Sequence, residues 1–192
     1  MGRNAILAAV IALAPLPAIA LDLTPHAGFR ELEDIKIPVV ELMDGAAKVI
    51  FQPPSGWQVS GGRSLLNLIP PNPNEAIVEL RIDTASAPDL EAPEDVEKWC
   101  RKFLPTPATQ IVLAGDAASP FTLHGLPSRE FTYSYTYQAR QFTASVAVVD
   151  LSPGQRLSLI VIAHPDKFKP TCESVVRSMF TFEWQDRRGV ER

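Results

Sequence analysis

Residues 129–163 have the sequence REFTYSYTYQARQFTASVAVVDLSPGQRLSLIVIA, and this stretch decides the fold. Segments 129–137 and 156–163 alternate with a period of two residues, and a third extended apolar segment spans 142–151. Because successive side chains on a strand point to opposite faces of a sheet, this period predicts strands. The connections between the segments are long enough only for turns. The stretch therefore predicts three consecutive antiparallel strands, a β-meander.

Strand-like segments also precede the meander. In the clearest of them, Val78, Leu80 and Ile82 alternate with charged side chains, which is typical of a half-buried strand. Asp44-Gly45 predicts a tight turn, and Pro38 argues against a central position in a sheet for the segment that contains it. The predicted strands are residues 35–42, 47–51, 64–69, 76–84 and 109–113.

Two segments change to helical periodicity. In the first, 93–104, Pro93 suits the first helical position, where no backbone hydrogen bond is lost. Its apolar face consists of Val96, Trp99, Cys100 and Phe103. The second has Pro170 near its start and an apolar face of Phe168, Cys172, Val175, Val176 and Met179. The order of elements predicts a single α+β domain in which helices pack on an antiparallel sheet.

Five short pieces carry a family resemblance. They are FQPPSGW at 51–57, REF at 129–131, PGQRL at 153–157, HPDKF at 164–168 and VRSMFTF at 176–182. In this order they resemble the PsbP/Mog1-like superfamily, over most of the chain after residue 20. The resemblance implies an α/β/α sandwich. It also implies an extrinsic or adaptor protein, since members include photosystem subunits and a Ran-binding protein and share no active site whose residues could be transferred.

The N-terminus has the pattern of a cleavable signal peptide. Arg3 precedes an apolar run, and Pro17-Ala18-Ile19-Ala20 fits an Ala-x-Ala cleavage site. A membrane anchor would need about 20 continuous apolar residues, and prolines interrupt this run. We expect cleavage between Ala20 and Leu21, with export to the periplasm or beyond the cell. The expected organisation is a signal peptide at 1–20, an irregular arm at 21–34, one domain at 35–184 and a charged tail at 185–192.

No pattern predicts a catalytic, metal or cofactor site. His26, His124 and His164 are not at metal-ligand spacing from other ligand residues. No nucleophile elbow, phosphate loop or dinucleotide fingerprint occurs, and Gly61-Gly62 predicts only a loop. The formal net charge of −4 argues against a nucleic-acid partner, which requires a basic surface. We therefore expect no cofactor, and no membrane span after residue 20.

The two cysteines, Cys100 and Cys172, leave two alternatives open. An even number of cysteines in an exported protein suggests a disulfide. Cysteine is also among the residues most often buried as a free thiol. The sequence does not decide between them, because a disulfide requires Cα atoms within about 7 Å of each other.

All three tyrosines of the protein lie on one face of one predicted strand. Tyr133, Tyr135 and Tyr137 share this face with Phe131. An aromatic row at period two is first a packing signal, so a covering helix is the favoured interpretation. Under the alternative, the tyrosines line a groove for a peptide or a small ligand, because tyrosine suits interfaces.

These observations favour a non-enzymatic exported binding or accessory module. It would contact an unknown protein partner through the aromatic edge of the sheet and the Pro-rich loops. An alternative is a small-molecule carrier, which predicts an apolar pocket between sheet and helix with few polar groups. A hydrolase is the third hypothesis, and it predicts titratable residues with shifted pKa values in one cleft.

Overall fold

The computed structural model describes residues 21–45, 47–83, 87–119, 126, 128–152, 154–179 and 181–186. The first strands are β1 (Asp22–Leu32), β2 (Ile35–Asp44), β3 (Ala47–Phe51), β4 (Gln58–Gly62), β5 (Leu65–Ile69) and β6 (Ala76–Asp83). Helix α1 (Pro93–Cys100) continues into a 3₁₀ turn at Arg101–Phe103. The remaining elements are β7 (Thr109–Ala118), β8 (Ser128–Tyr137), β9 (Arg140–Ser152), β10 (Gln155–Ala163), α2 (Pro165–Met179) and β11 (Glu183–Asp186).

These strands form two antiparallel sheets. The larger has seven strands in the order β4-β5-β6-β10-β9-β8-β7, and the smaller has four in the order β1-β2-β3-β11. Strands β8, β9 and β10 are neighbours in register, for example Tyr133 opposite Ala144 and Leu159 opposite Ala147. The predicted meander is therefore confirmed, and it forms the middle of the larger sheet.

The larger sheet separates two hydrophobic cores. Side chains such as Val146 and Ile160 pack with α1 on one face of the sheet. On the opposite face, residues such as Ala147 and Leu159 pack with α2 and with the smaller sheet. Helices on both faces of one antiparallel sheet confirm the predicted α+β fold class with α/β/α layers.

The expectation of an irregular arm at 21–34 is wrong, because most of this segment is strand β1. Leu21 and Leu23 are buried in the core, and the rest pairs with β2 from His26 to Leu32. A register shift between Asp22 and His26 interrupts the alternation of side chains, which explains why no period is visible in the sequence.

The structure describes only part of the two segments expected at the ends of the chain, the signal peptide and the charged tail. Gln185 and Asp186 pair with Lys48 and Ala47 as the end of β11, so this part of the expected tail is a strand. The predicted signal peptide at 1–20, with Ala20, and residues 187–192 lie outside the described residues.

Pro38 shows how a proline is accommodated in a strand with two neighbours. Strand β2 lies between β1 and β3, but it pairs with β3 only from Val40 to Asp44. At Pro38 only β1 lies alongside, where Phe29 is its partner. The missing backbone N–H is therefore placed where β2 is locally an edge.

Strand β4 has no counterpart among the predicted strands. Gly61-Gly62, expected in a loop, ends this strand, and the turn follows at Arg63-Ser64. A Cβ on Gly61 would collide with the backbone carbonyl oxygen of Leu65. The close approach of the two backbones therefore requires glycine, which carries no side chain.

One buried arginine joins strands on the α1 face of the larger sheet. Arg156 is 2% exposed, and its Nε and Nη2 donate to the two carboxylate oxygens of Asp150 at 2.6 and 3.1 Å. Its Nη2 also donates to the Pro88 carbonyl at 2.5 Å, and its guanidinium lies 5.1 Å from the centre of the Trp99 ring. The guanidinium charge is therefore buried away from water, and the Asp150 carboxylate is its main counter-ion.

Candidate functional site

The aromatic row on β8 is part of the α1 core rather than a groove. Tyr133 is fully buried, and its hydroxyl donates to the Glu97 carbonyl on α1 at 3.1 Å. Tyr135 is also buried and stacks on Phe142, while Tyr137 is half-buried. The interaction surface hypothesised at Tyr133, Tyr135 and Tyr137 is therefore corrected, because its first two members are buried in the α1 core.

The two cysteines are free thiols, so the disulfide alternative is wrong. Cys100 lies in the α1 core, whereas Cys172 on α2 packs against the core on the other face of the larger sheet. A layer packed on a sheet lies about 10 Å from it, so two helices on opposite faces are farther apart than a disulfide can reach. The physical reason is that the sheet itself stands between the two helices.

The buried thiol predicts a loss of stability at alkaline pH. Burial raises the pKa of Cys100 from its ordinary value of 9.0 to about 12. In the unfolded chain the thiol ionises near pH 9, whereas in the folded protein it stays neutral until about pH 12. A rise in pH through 9 therefore stabilises the unfolded state relative to the folded one. Between pH 8 and pH 10 this should lower the free energy of unfolding by about 1.4 kcal/mol. Urea unfolding at both pH values, compared with Cys100→Ala, measures it, and an equal decline in both proteins would contradict it.

A cavity lies between the β1–β2 hairpin and the connection from β3 to β4. This hairpin cleft has a volume of about 530 Å³. Its walls include Pro25, Ala27 and Pro38 from the hairpin and Pro53, Pro54, Trp57 and Val59 from the opposite side. Among the described residues that line the cleft, the polar ones are His26, Gln52 and Ser55, and none is Asp, Glu, Lys or Arg. Its surface is therefore apolar, uncharged and rich in rigid proline rings.

A tight turn positions Trp57 at this cleft. The Trp57 N–H donates to the Pro54 carbonyl at 3.0 Å, and Gly56 has a φ of 77° that disfavours other residues. Gly56 also lies beside the loop that contains Pro71, since a Cβ there would be 3.6 Å from the Cγ of Pro71. The turn that presents Trp57 therefore lies against this neighbouring loop.

The turn at 53–57 is a ridge between the hairpin cleft and a second groove. This helix groove, of about 440 Å³, is lined on its far side by Ser174, Arg177, Ser178 and Thr181. Gln52 anchors the ridge to the end of α2. Its N–H donates to Thr181 Oγ1 at 2.7 Å, and its carbonyl accepts from Ser178 Oγ at 2.6 Å. Hydrogen bonds to both backbone groups of one residue hold the ridge in place.

The far half of the β1–β2 hairpin projects into solvent and carries large apolar side chains. Phe29 is 66% exposed, Leu32 57% and Ile35 65%. Phe29 is paired with Pro38, so it shares the face that lines the hairpin cleft and extends that apolar surface outward. Exposed apolar residues next to a cleft are typical of a protein interaction site.

A second kind of cavity lies between α2 and the larger sheet. This α2 pocket has a volume of about 270 Å³. Ala147, Leu159 and Val161 form its apolar floor, and Val175 and Val176 of α2 lie opposite. Its polar lining groups are Ser119, Glu130, Ser145, Cys172 and Glu173. The pocket is at the place that the small-molecule carrier hypothesis predicts.

His164 has a structural environment at the start of α2. Its ring stacks on Phe142 with centroids 4.4 Å apart, and its Nδ1 lies 3.1 Å from the Gln141 carbonyl. Its own carbonyl accepts from the N–H groups of Lys167 and Phe168, so His164 caps the helix through its backbone. Within the described part of the chain, no group of three His, Cys, Asp or Glu side chains could hold a metal ion.

Sequence reasoning did not identify the hairpin cleft as a site. Its clearest signal is FQPPSGW at 51–57, which contributes the ridge and Trp57 but supports only a family resemblance when taken alone. Part of the other wall comes from β1, a segment that lacks visible periodicity. Neither helix of the described residues is long and apolar enough to cross a membrane.

Solved structures with the same fold have little sequence in common with this chain. A point mutant of the protein Mog1 matches with a TM-score of 0.51 at 11% identity, over 77% of this chain and 94% of that one. The Saccharomyces cerevisiae Ran-binding protein Mog1p matches at 0.50 and 10%, over 85% and 96%. LpqN, involved in cell envelope biogenesis of Mycobacterium tuberculosis, matches at 0.50 and 18%, over 74% and 86%.

No family model and no curated protein matches the chain. The structural matches confirm the expected resemblance at the level of the fold, which is Mog1-like. At these identities the likeness shows the fold alone, and function has to be argued from the surfaces of this chain.

Proposed function

We propose that this chain, with its Mog1-like fold, is an exported, non-enzymatic binding module that holds an extended apolar segment of a partner protein in the hairpin cleft. The observation that carries the proposal is the lining of the cleft, with prolines on both walls, Trp57 on the wall opposite the hairpin, and no Asp, Glu, Lys or Arg among the described lining residues. Proline rings lose little conformational freedom when they become buried, so binding incurs a small entropic penalty.

The surroundings of the cleft support a protein partner over a small ligand. The exposed side chain of Phe29 extends the apolar surface along the hairpin, and the helix groove, whose far side is polar, lies beyond the ridge. A segment of several residues could therefore lie across the ridge. Tryptophan is among the residues that most often dominate the binding energy of protein interfaces.

Export is part of the proposal and is supported by the position of the first core residues. Leu21 and Leu23 are buried in the core, so cleavage after Ala20 would leave the folded domain complete. The mass of the protein purified from the exported fraction would test this. A mass beginning at Leu21 supports export, whereas a mass that retains residues 1–20 contradicts it.

Trp57→Ala is expected to weaken partner binding at least tenfold, or about 1.4 kcal/mol, because it removes one wall of the hairpin cleft. A photo-crosslinking residue at the exposed position Ser55 would first capture and identify the partner in cells. Titration of the identified partner segment against wild type, Trp57→Ala and Phe29→Ser then measures the effect.

Val112→Ala is the matched control, because Val112 is also exposed and lies on β7, at the opposite edge of the larger sheet from β4. It should bind the partner like wild type. Equal binding by Trp57→Ala, Phe29→Ser and wild type would rule out the hairpin cleft as the site. Thermal unfolding of each variant separates lost binding from lost folding.

A further inference from the structure

We propose that the α2 pocket is a separate binding site for a small ligand that has a short apolar body and one ammonium group, with Glu130 as the carboxylate that receives it. This site lies on the larger sheet beneath α2 and shares no lining residue with the hairpin cleft. The inference is therefore independent of the proposed protein partner.

The apolar part of the ligand would lie on the floor of the pocket. Ala147 and Leu159 are opposite each other on β9 and β10, and Ser145 is opposite Val161 in the same way. Val175 and Val176 approach from α2. The volume of about 270 Å³ corresponds to about nine water molecules at ~30 Å³ each, which suits a body of a few carbon atoms.

The polar end of the pocket is a carboxylate that is already oriented. The hydroxyl of Ser145, which is 4% exposed, donates a short hydrogen bond to Oε1 of Glu130. Among the described residues no ion pair involves Glu130, and a ligand donor would bind at its Oε2. A buried hydroxyl that fixes a half-buried carboxylate is a preorganised acceptor.

The charge of the lining selects a cation. Glu130 and Glu173 line the pocket, and none of the described residues that line it is Lys or Arg. Burial first, and then the negative charges of Glu130 and Glu173, raise the pKa of the Cys172 thiol to about 12. A half-buried carboxylate with no cation beside it favours a positively charged partner, because charge-assisted hydrogen bonds are the stronger class.

The test uses n-hexylammonium as the probe, with n-hexanol and hexanoate as ligands of the same length without the positive charge. Isothermal titration should show n-hexylammonium binding at least tenfold more tightly than n-hexanol, and hexanoate should not bind. Amide NMR shifts should locate the bound probe at residues 145–147 and 172–176. Glu130→Gln, which keeps an acceptor for Ser145, should reduce n-hexylammonium affinity at least tenfold.

Glu94→Gln is the matched control, because this exposed carboxylate on α1 lies on the opposite face of the sheet and should leave affinity unchanged. Val176→Phe, which fills the pocket without removing a charge, is the second variant and should abolish binding of the probe. The proposal is overturned if the probe does not bind, if n-hexanol binds equally well, if Glu130→Gln has no effect, or if the shifts map elsewhere.

Discussion

Asp150→Ala is expected to lower the free energy of unfolding by about 3 kcal/mol, because it leaves the buried Arg156 charge without its main counter-ion. The arginine is 2% exposed and cannot recover its hydration without opening the sheet. Breaking one side of a buried ion pair costs about 3–5 kcal/mol, and the side chain of Asp150 is itself 42% exposed, so we place the effect at the lower end. Urea unfolding at neutral pH measures it.

Arg156→Met is the informative control for this prediction. It removes the buried charge together with its need for a partner and retains much of the side-chain volume against Trp99. Asp150 can then be hydrated from its exposed side. We expect Arg156→Met to be less destabilising than Asp150→Ala, although it removes the same ion pair. The opposite order would show that the pair is a source of stability rather than a compensated buried charge.

Tyr133→Ala is expected to lower the free energy of unfolding by about 4 kcal/mol, because it empties a fully buried aromatic site in the α1 core. The change also leaves the Glu97 carbonyl without the hydroxyl that donates to it. Tyr133→Phe isolates that hydrogen bond and should cost about 1 kcal/mol. Chemical denaturation of the three proteins at one pH provides the comparison.

Tyr137 is the matched control, since it lies on the same face of β8 but is only half-buried. Tyr137→Ala should cost less than about 1.5 kcal/mol. If both alanine variants were equally mild, α1 would not cover the aromatic row, and a groove lined by Tyr133 and Tyr135 would again be possible. If both were equally severe, the helix would cover the whole row.

Most of the strands and both helices could be predicted because their signals are local. The period of two in 76–84 corresponds to β6, and the helical spacing of Val96 and Cys100 corresponds to the buried face of α1. In each case the side chains that repeat are the ones that the core buries. A short-range pattern is enough to predict an element when one of its faces is buried and the other is exposed to solvent.

Strand β1 could not be predicted from the same kind of signal. A register shift follows Asp22, and the far half of the hairpin is exposed on both faces, so no alternation between buried and exposed positions is imposed on it. Its strand conformation is stabilised by pairing with β2. The part of the hairpin cleft that β1 forms could therefore not be predicted from periodicity.

The order of the main elements and the apolar faces of the two helices followed from the sequence. The tertiary structure alone decided which face of the sheet each helix covers. That choice places Cys100 and Cys172 in different cores and buries Tyr133 under α1. Packing of the β1–β2 hairpin beside the connection from β3 to β4 joins Pro38 to Trp57 in one cleft. The physical reason is that secondary structure follows from neighbours in the chain, whereas a binding surface follows from side chains that packing brings together from distant segments.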